Sequence, residues 1–139
     1  MAFVNFFSEE INFKLPQPRK TSFWIKESVK RENKSLKSLN FIFCNDDHLR
    51  SINIQYLSHQ TFTDIITFDQ SDDPTMIEGD IFISIDRVVE NSKKFDETFD
   101  NELHRVIIHG VLHLIGYGDK KIGDKHIMRK KEDAYLSLR

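Results

Sequence analysis

The chain has 139 residues, 39% of them hydrophobic and 30% charged, with 12 phenylalanines. That is enough apolar material for one hydrophobic core and too little length for two, and it excludes disordered and fibrous classes. A single domain over residues 1–139 is expected. The 20 Lys+Arg oppose 22 Asp+Glu for a formal charge of -2, which excludes coating of nucleic acid by bulk electrostatics but not local basic patches. No apolar run reaches the roughly 18 residues of a membrane-spanning helix, and the start lacks the basic and apolar segments of an export signal. The one cysteine, Cys44, can form neither an intrachain disulfide nor a multi-cysteine zinc site, so a cytoplasmic location is expected.

In chain order, Phe3 to Glu9 reads as a first strand. Pro16 and Pro18 then break the chain before a helix expected to start at Thr21 or Ser22, with Trp24, Ile25, Ser28 and Val29 on its inner face. Leu39, Phe41 and Phe43 alternate with Asn40, Ile42 and Cys44, a strand pattern that places Cys44 among buried strand residues. Asn45-Asp46-Asp47 caps a helix carrying Leu49, Ile52 and Tyr56, and Thr63 to Phe68 returns to a strand. After an acidic loop with Pro74, Gly79 to Ile85 is the next strand, and Asp86 is expected to cap a short helix. The order is β-α-β-α-β-β-α. From Thr98 the period changes to that of a helix ending at Gly116, apolar all round in its second half and therefore expected to be central and buried. Asp124 is expected to start a last helix carrying Ile127, Met128, Tyr135 and Leu138.

That central helix carries the chemistry. His109 and His113 are four residues apart, about 40° around the axis and about 6 Å along it, so both imidazoles can reach one ion. Gly116-Tyr117-Gly118-Asp119 lets the chain reverse and bring Asp119 toward them. Two imidazoles and a carboxylate suit one Zn2+ ion, and three protein ligands leave a position for water, as in catalytic zinc sites. Gly110 stands where zinc peptidases carry their catalytic Glu, which argues against peptidase chemistry. His48, His59, His104 and His126 share no spacing and are expected at the surface or at helix ends. Two basic clusters stand out: Lys26, Lys30, Arg31, Lys34 and Lys37, and Lys120, Lys121, Lys125, Arg129, Lys130 and Lys131. The first reads as a solvated face, whereas the second lies beside the histidine motif.

The stretch His109-Gly-Val-Leu-His113-Leu-Ile-Gly-Tyr-Gly-Asp119 resembles the signature of the YbeY family, bacterial single-strand-specific metallo-endoribonucleases that mature ribosomal RNA. Thr63-Asp-Ile-Ile-Thr-Phe68 and Glu78-Gly-Asp-Ile81 resemble that family's Thr-Asp-Val-Leu-Ser-Phe and Leu-Gly-Asp-Ile elements. The resemblance implies an α+β domain, with a small mixed sheet packed against helices, and a zinc ion held by His109, His113 and Asp119. It also implies ribosomal RNA and ribosome-associated proteins as partners, in maturation of the small-subunit rRNA 3′ end and ribosome quality control. Two positions depart from the pattern: Asp119 stands where the family carries a third His, and Leu57 follows Tyr56 where the family carries an Arg. No general base is assigned, although Asp80 and Thr67 lie near family motif positions. A rival reading is a ribosome-assembly factor whose metal site is structural or vestigial and which has no hydrolytic activity; a third is a metal-dependent hydrolase of a small molecule or peptide.

Overall fold

The computed structural model describes residues 2–57 and 63–139. His59 lies outside the described residues. The elements run β1 (Phe3–Ser8), α1 (Pro18–Arg31), β2 (Ser35–Cys44), α2 (Asp46–Leu57), β3 (Ile65–Asp69), β4 (Met76–Ser84), α3 (Ile85–Lys94), α4 (Phe99–Ile115) and α5 (Ile122–Leu136). This is an α+β fold. The strands form one sheet in the order β1-β2-β4-β3, with β1, β2 and β4 parallel and β3 antiparallel to β4.

Alternation along the strands divides the apolar residues between the two faces of the sheet. Leu39, Phe41, Phe43, Ile77, Ile81 and Ile83 face the main core, closed by Trp24, Ile25 and Val29 of α1 and by Leu103, Val106, Ile107, Ile108, Val111 and Leu112 of α4. Cys44 and Ile66 face the other way, against Leu49 and Ile52 of α2. The helix α4 is central: it packs on β3, β4, α1, α3 and α5. Burial pushes the Cys44 thiol up to about 12, and the carboxylates of Glu9, Asp46 and Asp86 add to the effect, so this side chain is packing material and no nucleophile.

Two glycines permit the close approach of α4 to the sheet. A Cβ on Gly110 would lie 2.7 Å from Ile65 Cδ1 and 3.0 Å from Ile81 Cγ2. One on Gly79 would lie 2.3 Å from the backbone oxygen of Phe68, which is incompatible with the pairing of β3 and β4.

Several boundaries differ from expectation. The helix α1 begins at Pro18, three residues before Thr21, because proline has no N–H to lose in a first turn and brings a helical φ. Ser84, rather than Asp86, caps α3, its Oγ accepting from Arg87 N at 3.2 Å. Asp86 instead accepts from Asp46 N at 2.9 Å and so joins α3 to α2. In α2 the cap is Asn45, whose Oδ1 accepts from His48 N, but Tyr56 is exposed and Asn53 is buried in its stead. The last helix starts at Ile122 and buries Met128 and Tyr135 while Ile127 and Leu138 stay exposed.

His104 corrects a further expectation. Instead of lying at the surface it is 4% exposed, with Nδ1 donating to Asp100 O at 2.7 Å and Nε2 accepting from Thr21 Oγ1 at 3.3 Å. Both ring nitrogens are satisfied in the neutral form, which is why burial is tolerated.

Candidate metal centre

The site is assembled where α4 ends. Gly116 takes φ 126 and its N–H reaches back to Leu112 O and His113 O, while Tyr117 N bonds Leu112 O at 3.0 Å. An L side chain at this φ would be strained, so glycine permits the reversal. The turn then returns Asp119 to the histidines: Asp119 Oδ2 lies 3.3 Å from His109 Nε2 and 3.1 Å from His113 Nε2. Tyr117 anchors this turn by donating its hydroxyl to Glu32 Oε1 at 2.5 Å, and Glu32 also accepts from Lys131 Nζ and Tyr135 Oη. Burial disfavours the Glu32 carboxylate, but the two tyrosines and Lys131 outweigh it and hold its pKa below the ordinary value.

The other ring nitrogens are already engaged. His113 Nδ1 lies 3.0 Å from Tyr117 O, a group that only accepts, so the proton sits on Nδ1 and Nε2 presents a lone pair. His109 Nδ1 lies 2.6 Å from Glu132 Oε2. Glu132 is 5% exposed and is itself held by Arg105 Nη1 at 2.9 Å, while Arg105 Nη2 binds Asp133 at 2.8 Å. Two imidazole lone pairs and a carboxylate oxygen therefore point at one another. With both histidines neutral, a cation between the three atoms satisfies them all; protonated, the histidines donate to Asp119 Oδ2 instead.

The donor set fits zinc. His109, His113 and Asp119 each offer one atom, all within 4.8 Å of one another. A tetrahedral ion with bonds of about 2.0–2.1 Å places its ligands about 3.3 Å apart, close to the two nitrogen-to-oxygen separations measured. The Glu132 carboxylate behind His109 supplies the outer hydrogen bond that orients a ligating histidine. Burial lowers the proton affinity of His109, but the hydrogen bond and charge of Glu132, with Asp64 and Asp119 beyond, raise it above the usual imidazole range.

Two cavities flank this group, and both are lined by Asp64, His109 and Asp119. One, of about 400 Å³, lies between α3, α4 and α5; the other, of about 560 Å³, runs along β3 and includes Asn53, Thr67, His113 and Lys120. Burial pushes the Asp64 carboxyl up, with the charges of Glu132 and Asp119 adding to the shift and His109 opposing it. Burial does the same to Glu102 on the α4 wall.

Sequence reasoning brought together His109, His113 and Asp119, and the fold does so too. It missed Glu132, Arg105, Glu102 and Asp64. Glu132 lay hidden in a charged helix, although its place among Met128 and Tyr135 on the inner face was a usable signal. Asp64 sits in the Thr-Asp motif, one residue ahead of β3. Thr67 lines the second cavity. Asp80 is elsewhere, bonded to Asn40 and Gln70, and His48 pairs with Glu9. The second basic cluster divides: Lys131 is bound to Glu32, Lys120 lines one cavity, and Lys125 and Arg129 line the other.

Comparison with known proteins agrees with this architecture. The solution structure of TM1509 from Thermotoga maritima superposes with a TM-score of 0.68 at 26% identity, covering 96% of this chain and 87% of that one. Proteins named Endoribonuclease YbeY are 47% identical in Amoebophilus asiaticus, over 96% of this chain and 90% of the relative, and 58% identical in Karelsulcia muelleri, over 83% and 81%. A third, from Cytophaga hutchinsonii, is 49% identical over 98% of this chain and 95% of its own length. The family model described as Endoribonuclease YbeY matches residues 6–138, and the chain belongs to that family.

Proposed function

We propose that the protein is a zinc-dependent endoribonuclease that cuts single-stranded RNA, acting in the cytoplasm in maturation of the small-subunit rRNA 3′ end and in ribosome quality control. The observation that carries this reading is the convergence of His109 Nε2, His113 Nε2 and Asp119 Oδ2 at the junction of two cavities. Its support in relatives is their printed name, Endoribonuclease YbeY. One bound zinc ion supplies Lewis acidity toward a phosphoryl oxygen and toward water.

The chain's own residues prepare that chemistry. Glu132 and Tyr117 O fix the two imidazoles with Nε2 turned inward, and the Glu32 cluster holds the turn that brings Asp119 to them. Asp64 lines both cavities beside the three ligand side chains, and we assign it the role of holding or passing a proton near the reacting phosphate.

The test is cleavage of a precursor small-subunit rRNA fragment by wild type and by His113→Ala purified in parallel. Wild type is expected to cut, with zinc restoring what a chelator removes, and His113→Ala to be inactive. Equal cutting by both, or none by either, would sink the reading. The Leu57 that stands in place of the family's Arg favours the rival, a ribosome-assembly factor with a structural or vestigial metal site, and that reading would then take over.

A further inference from the structure

The cavity of about 400 Å³ beside His109 and Asp119 carries groups that metal binding does not use. Phe95 ends α3 and is 57% exposed at its edge. Lys94 Nζ lies 5.5 Å from the ring centroid, and the part of the ring that stays exposed at the mouth of this polar cavity offers a face for stacking. One turn earlier on α3, Asn91 lines the same cavity, and among the described residues its side-chain amide has no partner. Across from them, Lys125 and Arg129 line the α5 wall. They are four residues apart, so their side chains share one face at about 6 Å along the axis.

These two cations differ from their neighbours. Arg105 is committed to Glu132 and Asp133, and Lys131 to Glu32. Lys125 and Arg129 are exposed and, among the described residues, form no ion pair. Glu102 lines the same cavity from the α4 wall. Deeper in, Arg105 Nε is buried with no acceptor.

We infer that this cavity is a nucleotide subsite: Phe95 stacks an unpaired base, Asn91 reads its edge, and Lys125 and Arg129 bind the phosphates on that side of the metal centre. The inference rests on the endoribonuclease reading and adds to it where the chain is held. Stacking on Phe95 requires a base splayed out of any duplex, because a paired base keeps both faces covered. The subsite thereby selects single strands by shape. The amide of Asn91, both donor and acceptor, can meet any base edge, so tolerance of sequence is expected.

Stacking and phosphate contact leave different signatures, which makes the subsite testable. The probe is a single-stranded 2′-O-methyl RNA of about 12 nucleotides, bound to zinc-loaded protein and followed by fluorescence anisotropy over a salt series, with its intactness checked on a gel. Phe95→Ala is expected to weaken binding at least about fivefold at every salt concentration without changing the slope, and Phe95→Trp to restore it. Lys125→Gln with Arg129→Gln is expected to reduce the slope of log affinity against log salt by about 1.4, or about 0.7 per contact. Lys26→Gln with Lys30→Gln, the same charge loss on the outer face of α1, is expected to leave the slope unchanged. All four positions are exposed, and equal melting temperatures check that the variants fold. Wild-type binding by both site variants, or an equal loss of slope in the α1 control, overturns the subsite while leaving the endoribonuclease reading intact. Failure of wild type to bind the probe at any salt overturns both.

Discussion

His109 and Glu132 show how much of the site's chemistry lies in a single contact. The Glu132 carboxylate fixes which nitrogen of His109 carries the proton and aims the other at Asp119. Replacing it by the isosteric amide keeps the volume but removes the charge that strengthens the imidazole as a ligand. Glu132→Gln is therefore expected to weaken zinc binding by roughly 10- to 100-fold in competition with a chromophoric chelator. Unchanged affinity would show that Glu132 only packs. His104 on the same helix does the opposite work. Burial depresses its pKa, and the hydrogen bond to Asp100 only partly offsets this. The folded state then binds fewer protons than the unfolded state below the unfolded value of 6.5, so stability is full above that pH and declines as pH falls toward the folded value. The slope is at most about 1.4 kcal/mol per pH unit. Urea unfolding between pH 7.5 and pH 5 is expected to show this decline in wild type, and a shallower one in His104→Gln.

At the scale of elements, the fold depends on how closely α4 and β3 can approach β4. Gly79 accommodates the Phe68 carbonyl and Gly110 accommodates Ile65 and Ile81, but the two sites are not equivalent. At Gly79 the obstacle is backbone, which cannot move without breaking the β3–β4 ladder. At Gly110 the closest atom is the tip of a side chain, and alanine gains helix propensity of about 1 kcal/mol. Gly79→Ala is expected to cost about 1–3 kcal/mol, the range for overpacking, and Gly110→Ala distinctly less. Chemical denaturation midpoints of the two variants decide it, and the reverse order would mean that β3 is free to shift. The period-two pattern of β2 and the all-round apolar second half of α4 were legible in sequence because each is a local repeat. Helix starts were less so, since Pro18 and Ser84 compete with better-known cap residues and the choice is made by where the backbone must turn.

For the whole molecule, the position of the site relative to the core decides what metal removal does. The main core is closed by α1, α4 and the sheet, whereas the His109, His113 and Asp119 side chains are 22%, 24% and 40% exposed at its edge. Chelation is expected to leave a folded apoprotein with unchanged far-UV circular dichroism. Its melting temperature should rise again with added zinc, as mass action requires. Unfolding on chelation would instead mark a structural ion and support the assembly-factor reading. The sequence by itself determined the element order, the buried central helix and the three convergent groups, because these follow from periodicities and from spacings within eleven residues of one another. Only the tertiary structure decided that Glu132 stands behind His109, that Asp64 faces both cavities, and that Phe95 and Lys125 line one cavity beside the site. Those partners are distant in sequence and meet only because α5 folds back along α4 and β3 pairs beside β4, so no local pattern records them.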